Sequence, residues 1–100
     1  LVAQHLRALC QLRQPNAKLS FWRTRAGLEV DFVVYGPDLF WAIDVKRSSR
    51  INRCDLKALK AFAADYPEAT CLLLTLCPEP LVIDGIRCEP LGPWLQQLRP

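Results

Sequence analysis

Two aspartates and a lysine are the side chains of this chain best suited to chemistry. Asp31 lies in one β-rich run, and Asp44 and Lys46 lie two residues apart in the next. Carboxylates held close together repel unless something positive lies between them. Mg²⁺ accepts one or two carboxylates and completes its coordination with water. The pattern therefore predicts either a divalent metal between the aspartates or a salt bridge to the ammonium of Lys46.

The segments that carry these residues are predicted to form a β-hairpin. Residues 28–35 and 39–46 are rich in β-branched and aromatic side chains, and Gly36-Pro37-Asp38 between them is a turn signal. Side chains alternate between the two faces of a strand. One face of this hairpin is wholly apolar and is predicted to be buried. It carries Leu28, Val30, Phe32 and Val34 of the first strand and Leu39, Trp41, Ile43 and Val45 of the second.

The other face of the hairpin decides which charged groups meet. The expected register pairs Tyr35 with Phe40, and it then places Asp31 opposite Asp44. The Cβ atoms of directly opposed residues are roughly 5 Å apart, and like charges in such positions destabilise a sheet. A one-residue slip would move the apolar residues to the acidic face, so burial favours this register. The alternative is a solvated ladder whose ion pairs contribute little.

The charged residues and their flanking sequence resemble a known nuclease core. Gly27-x-Glu29-x-Asp31 followed by Asp44-Val45-Lys46 resembles the PD-(D/E)XK, or restriction-endonuclease-like, fold. With Phe21-Trp22-Arg23-Thr24 ahead of it, the segment from Leu19 onwards is similar to one group in particular. This group is the domain of unknown function at the C-terminus of many prokaryotic AAA-type ATPases.

The resemblance implies a metal-dependent site that hydrolyses phosphodiesters. Asp31 and Asp44 would bind Mg²⁺ or Mn²⁺, which polarises a phosphodiester oxygen and activates water. Lys46 would stabilise developing charge or position the water. Glu29 would be a supporting residue, either behind the metal ligands or as the ion-pair partner of Lys46, which the register places opposite it.

The resemblance also implies partners and leaves the activity open. DNA or RNA would be the substrate, and an ATPase domain would lie in the same polypeptide. The alternative is a catalytically inactive module that binds nucleic acid, a protein partner or that ATPase domain, or a structural dimerisation domain. The chain departs from the family pattern in three places. Val30 stands where Pro is usual, Asp44 stands where Glu is commoner, and residues 1–13 lack the acid of the first helix.

Basic residues follow the lysine of the predicted site. Asn52 is a good N-cap for a helix over residues 53–66, which Pro67 ends. Arg53, Lys57 and Lys60 share one face of this helix at spacing i, i+4, i+7. They predict a nucleic-acid-binding surface, with a solvated helix face as the alternative. The predicted surface consists of Arg47, Arg50, Arg53, Lys57 and Lys60.

The remaining segments complete an α/β fold with a mixed central sheet flanked by helices. The order α-β-β-β-α-β matches the restriction-endonuclease-like core, and the resemblance supplies the assembled topology. The first three strands are expected to form an antiparallel meander, and the apolar run after the second helix a buried parallel strand. The segments are helix 1–13, strands 19–24, 69–76, 81–83 and 86–88, and helix 90–98, with Asp84-Gly85 as a tight turn.

Length and composition indicate a single domain, residues 1–100. Because the chain begins inside a helical pattern, we expect a C-terminal fragment of a longer, ATPase-containing protein. A net charge of +3 permits nucleic-acid contact. The five cysteines lack C-x-x-C spacing, which predicts reduced thiols in a cytoplasmic protein. No apolar run reaches the ~18 residues of a membrane span. An oligomer remains compatible with the sequence.

Overall fold

The computed structural model describes residues 2–12 and 16–97, arranged as a mixed β-sheet between helices. The described helices and strands are, in chain order, α1 (Val2–Leu12), β1 (Lys18–Arg23), β2 (Glu29–Tyr35), β3 (Phe40–Val45), a 3-10 helix (Arg53–Leu56), α2 (Lys57–Asp65), β4 (Thr70–Thr75), β5 (Leu81–Ile83), β6 (Ile86–Pro90) and α3 (Leu91–Gln97). The six strands lie in the order β1-β2-β3-β4-β6-β5. This confirms the α/β class and the mixed sheet flanked by helices.

The apolar residues of the sheet divide into two cores, one on each face. The first core lies against α1 and α3, and it includes Leu6, Val34, Ile43, Leu74 and Trp94. The second lies against α2, and it includes Val33, Ala42, Leu59, Phe62 and Leu73. Helix α1 packs here because its apolar residues recur at helical spacing, and Val2, Leu6 and Leu9 are buried as that spacing predicts.

The register of the central hairpin is the predicted one as far as Phe32 opposite Ile43, but the predicted regular pairing of Asp31 with Asp44 does not form. Tyr35 pairs with Phe40 and Val33 pairs with Ala42, in antiparallel orientation. Strand β1 pairs antiparallel with β2, so the three-stranded meander is also confirmed. The turn closes with a hydrogen bond from Gly36 N to Leu39 O of 2.9 Å.

A β-bulge interrupts the regular alternation of β2. At one point the strand has two residues, Asp31 and Phe32, opposite the single residue Phe21 of β1. An extra residue in one strand reverses the faces of the residues beyond it, since side chains alternate with a period of two. Asp31 therefore lies at an irregular position, and its direction cannot follow from strict alternation.

The bulge overturns part of the predicted apolar face. Leu28 and Val30 were expected on the face of Phe32 and Val34, but they pack in the second core, against α2. Phe32 and Val34 pack with the first core, as predicted. The prediction was wrong for the start of the strand because it assumed an unbroken period of two.

The second half of the sheet forms as the sequence indicates. Strand β4 lies parallel to β3, and Cys71 to Thr75 are all buried, as expected for an apolar strand covered on both faces. Strands β5 and β6 form the predicted hairpin, in which Asp84 and Gly85 have φ of 51° and 81°. Positive φ at both turn residues suits a two-residue hairpin, and Gly adopts it without steric cost.

The helix predicted over 53–66 begins as a 3-10 helix and continues as α2 to Asp65. The helix predicted over 90–98 is α3, in which Trp94 and Leu95 are buried as expected. Leu98, at the end of the predicted helix, lies outside the described residues. None of the described helices is long and apolar enough to cross a membrane.

The five cysteines are free thiols. Cys71, Cys77 and Cys88 are buried, whereas Cys54 is exposed. Burial raises the pKa of the Cys71 and Cys88 thiols, so both stay protonated and behave as small apolar residues of the second core.

We expect Gly36→Ala to destabilise the domain. A Cβ atom at position 36 would lie 2.8 Å from the Cβ and 2.9 Å from the Cα of Ala17, which is itself buried in the first core. Overpacking of this kind costs about 1–3 kcal/mol. In the control, Gly92→Ala, the added Cβ meets nothing within 4 Å. Urea unfolding of both variants checks this, and equal stability of the two would contradict the packing described here.

Candidate metal and catalytic site

The carboxylates of Asp31 and Asp44 each accept a hydrogen bond from a backbone N–H of the neighbouring strand. Oδ1 of Asp44 accepts a hydrogen bond of 2.8 Å from the backbone N–H of Asp31. Oδ2 of Asp31 accepts one of 3.1 Å from the backbone N–H of Val45. The regular pairing of β2 with β3 runs from Tyr35 opposite Phe40 only as far as Phe32 opposite Ile43. Beyond that point the two carboxylates replace the backbone carbonyls as acceptors.

This arrangement brings the two aspartates together, though not as an ordinary cross-strand pair on one face. Asp44 lies on the face of Phe40 and Ala42, and it raises the pKa of the neighbouring Cys71 through its charge. Asp31 lines an opening of about 400 Å³ beside α1. The carboxylates meet where β2 and β3 separate, because the bulge releases Asp31 from the regular alternation.

The two carboxylates differ in their exposure to water. Asp44 is only 8% exposed, whereas Asp31 is exposed. Burial raises the pKa of Asp44 from 3.8 to about 6, the hydrogen bond from Asp31 N–H opposes this rise, and the charge of Asp31 adds to it. A buried carboxylate with a raised pKa beside a second carboxylate favours a cation that would neutralise both.

Each carboxylate keeps one oxygen that accepts no hydrogen bond from the described residues. For Asp31 this atom is Oδ1, and for Asp44 it is Oδ2. Among the described residues, no fully buried side-chain oxygen or nitrogen lacks a partner. The second oxygen of Asp44 therefore reaches solvent, and the pair presents two oxygens that an ion could bind.

Lys46 has a partner that was not expected. Its ammonium forms a salt bridge with Oδ2 of Asp55, and the same oxygen accepts a hydrogen bond of 2.7 Å from Asn52 N–H. These two donors, Lys46 first, lower the pKa of Asp55. No hydrogen bond or ion pair among the described residues joins Lys46 to Asp31 or Asp44. Lys46 is thus held close to β3, and it does not neutralise the aspartates.

The predicted pairing of Glu29 with Lys46 is wrong. Glu29 instead forms a salt bridge of 2.5 Å with Arg23 of β1, and both side chains are exposed. The physical reason is that β2 and β3 no longer pair beyond the bulge. The backbone N–H of Lys46 donates to Leu74 O of β4 at 2.8 Å, so the end of β3 continues along β4.

The opening beside Asp31 is lined by a positively charged side chain of α1. Ala3 and Arg7 of α1 line it together with Leu19, Ser20, Phe21, Asp31 and Phe32. Arg7 is the basic residue and Asp31 the acidic residue of this lining. In the described part of the chain, no group of three or more His, Cys, Asp or Glu side chains is placed to hold a metal. Asp31 and Asp44 are the carboxylates that this site offers.

The predicted basic surface is exposed, and one of its members is already paired. Arg47, Arg50, Arg53, Lys57 and Lys60 all lie on the protein surface. Lys60 forms an ion pair of 3.1 Å with Asp84 at the tip of the β5–β6 hairpin. The other four form no ion pair with a described residue, so their charge is available to a partner.

Fold and site together define an α/β domain with a bulged hairpin that carries paired aspartates. The chain belongs to the family described as "Domain of unknown function (DUF4143)", whose model matches residues 1–92. A search of the curated proteins found no match.

Sequence reasoning missed two residues of this region. Asp55 was not among the predicted site residues, but its carboxylate binds Lys46. Its position three residues after Asn52 was the available signal, because a capping carboxylate points back towards the strand that precedes the helix. Arg7 carried no comparable signal, since its place beside Asp31 depends on how α1 packs on the sheet.

Without metal, we expect the stability of the domain to fall as the pH rises from about 4 to about 7. The pKa of Asp44 is 3.8 when it is unperturbed and about 6 in the folded state. Protonated Asp44 therefore makes its full contribution to the free energy of unfolding below pH 3.8, and this contribution is lost as the pH rises through 6. The loss amounts to about 3 kcal/mol. Asp44→Asn should remove this dependence, because an amide does not titrate. The amide oxygen can still accept the hydrogen bond from Asp31 N–H, so the fold should be kept.

Urea unfolding over this pH range in the presence of EDTA measures the effect. Asp38→Asn, in the exposed hairpin turn, is the control and should keep the pH dependence of the wild type. A wild type and an Asp44→Asn variant with the same pH dependence would contradict the raised pKa of Asp44.

Proposed function

We propose that this chain is a nuclease-like domain of the PD-(D/E)XK type, in which Asp31 and Asp44 bind Mg²⁺ or Mn²⁺ and the phosphodiester backbone of DNA or RNA is the substrate. One observation carries the proposal: each aspartate is fixed by a backbone hydrogen bond and still presents one oxygen. Fixed carboxylates lose little further freedom when an ion binds, which is the benefit of a preorganised site.

The donor set fits the proposed ion. Mg²⁺ is typically bound through one or two carboxylates, several waters and the phosphate of a substrate. Asp31 at an opening beside α1, with the neighbouring Asp44, would supply the two carboxylate oxygens of this description. A bound ion would supply a Lewis acid that polarises the phosphodiester and lowers the pKa of water.

The remaining residues would act on the substrate itself. Lys46, kept in one place by Asp55, would face the developing negative charge with its remaining donors, since an ammonium has three. Arg47, Arg50, Arg53 and Lys57 would contact phosphates on either side of the reacting one. Glu29, paired with Arg23, would support the start of β2 without touching the substrate.

A second candidate function has its own support in the structure. Arg7 of α1 lies at the opening where an acid of the first helix was missing from the sequence. Its guanidinium could occupy the place of a metal ion beside Asp31, and Lys46 is already engaged by Asp55. This would make the domain a catalytically inactive module that binds nucleic acid or an ATPase domain of the same polypeptide.

We expect Mn²⁺ or Mg²⁺ to raise the melting temperature of the wild type at pH 8, where Asp44 is ionised. An ion that binds only the folded state stabilises it by about 2.7 kcal/mol at a hundredfold excess over its Kd. For a domain of this size, each kcal/mol raises the melting temperature by roughly 4–8 °C. Asp31→Asn and Asp44→Asn should each abolish the rise, and the control Asp38→Asn should retain it.

Cleavage of single-stranded and duplex DNA by the same proteins separates the two functions. A nuclease loses Mn²⁺-dependent cleavage in Asp44→Asn and in Lys46→Met, while Lys46→Met keeps the metal-dependent rise in melting temperature. A rise without cleavage would show a metal site that does not cleave these DNA substrates, whereas no rise in the wild type would favour the inactive module, in which Arg7 takes the place of the metal. No effect of metal on the wild type would overturn the metal site.

Binding of nucleic acid should weaken steeply with salt, because Lys and Arg side chains displace counterions from phosphates. Removal of one phosphate-binding side chain should reduce the slope of log K against log salt by roughly one unit. Arg53→Gln and Lys57→Gln should show this reduction. Lys60→Gln is the matched control on the same helix face and should change the slope less, since Lys60 already pairs with Asp84. Salt-insensitive binding would favour a protein partner.

A further inference from the structure

An aromatic cavity lies on the α2 side of the central hairpin. Its volume is about 330 Å³, and it lies between β1, β2, β3 and the end of α2. Six aromatic side chains contribute to its lining: Phe21, Trp22, Tyr35, Phe40, Phe62 and Tyr66. Phe21, Tyr35 and Tyr66 are unusually exposed for aromatic residues, at 72%, 60% and 39%.

Most ring pairs of the cavity meet edge to face, although Phe62 and Tyr66 are tilted by only 36° at 4.8 Å. Tyr35 and Phe40 meet edge to face, with ring centroids 4.8 Å apart and planes at 90°. Phe40 meets Tyr66 at 5.6 Å and 65°. Tyr35 and Tyr66 remain exposed despite these contacts, so ring surface is still available to a ligand. The π face is the negative part of an aromatic ring, so such a surface attracts a cation.

The lining of the aromatic cavity carries one negative charge, from the carboxylate of Glu68. Glu68 is the charged residue of the lining, and no basic side chain contributes to it. Glu68 is exposed and forms no ion pair with a described residue. An aromatic cavity with one unpaired carboxylate is complementary to a positively charged group. It is a poor site for the backbone of a nucleic acid, since phosphates would meet the carboxylate.

The cavity also borders a free edge of the sheet. Strand β1 is the terminal strand on its side of the sheet, as far as the described residues show. Ser20, Phe21 and Trp22 of this strand line the cavity. The outer edge of β1 has backbone N–H and C=O groups that a further extended segment could pair with.

We propose that this cavity binds an arginine side chain of an extended partner peptide that pairs with the free edge of β1. The guanidinium would stack on the rings of Tyr35, Phe40 and Tyr66, and it would form a salt bridge with Glu68. Arginine suits the site because its planar guanidinium stacks on aromatic rings and forms bidentate hydrogen bonds with carboxylates. This peptide site shares Ser20 and Phe21 with the opening beside Asp31, but it includes neither aspartate and does not depend on nuclease activity.

Calorimetric titration at fixed salt with a capped Thr-Val-Arg-Val-Thr peptide tests the proposal. The same peptide with neutral citrulline in place of arginine should bind about tenfold more weakly or not at all, because it lacks the positive charge that the rings and the carboxylate would bind. Capped arginine alone, which cannot pair with β1, should also bind more weakly. Equal binding of the citrulline peptide, or no binding of the arginine peptide, would overturn the proposal.

Two variants locate the site. Glu68→Gln and Tyr66→Leu change exposed side chains, so both should fold, which their melting temperatures would verify. Each should weaken binding of the arginine peptide about tenfold. Glu79→Gln, at an exposed carboxylate outside the cavity lining, is the matched control and should bind normally. An equally large effect of Glu79→Gln, or displacement of the peptide by oligothymidine, would show that the cavity is not a cation site.

Discussion

Two hydrogen bonds between the backbone and the side chains of Asp31 and Asp44 hold the ends of β2 and β3 together. They form where regular pairing stops, and charge-assisted bonds of this kind contribute about 1.5–3 kcal/mol each. The bulge at Asp31 makes them possible, because it turns that residue out of the normal alternation. The same bulge directs Val30 towards α2, so the packing of the second core depends on it as well.

This arrangement is costly for the folded protein unless a cation is present. Asp44 is buried beside a second carboxylate, and its pKa rises to about 6 as a result. The nearest ammonium does not relieve the repulsion, since Lys46 pairs with Asp55. Unfavourable charges are often retained where function uses them. The proposed metal site would account for two acidic residues that lie together at the end of this hairpin.

Local patterns in the sequence predicted most of the fold. The apolar stripe of α1, the pairing of Tyr35 with Phe40 and the turn at Asp84-Gly85 depend on neighbours along the chain, and all three were predicted correctly. The bulge at Asp31 could not be predicted, because an extra residue in one strand is stabilised by long-range packing. The partner of Glu29 was missed because the bulge ends the pairing of β2 with β3, whereas the partner of Lys46 was missed although the spacing of Asn52 and Asp55 offered a local signal.

Paramagnetic broadening of amide NMR signals by Mn²⁺ tests most directly whether Asp31 and Asp44 form a metal site. Mn²⁺ at a small fraction of the protein concentration broadens the signals of amides close to the bound ion. We expect selective loss of the signals of Asp31, Phe32, Asp44 and Val45, and recovery of these signals in Asp44→Asn. Uniform broadening, or selective broadening around another acidic residue such as Glu68, would contradict it.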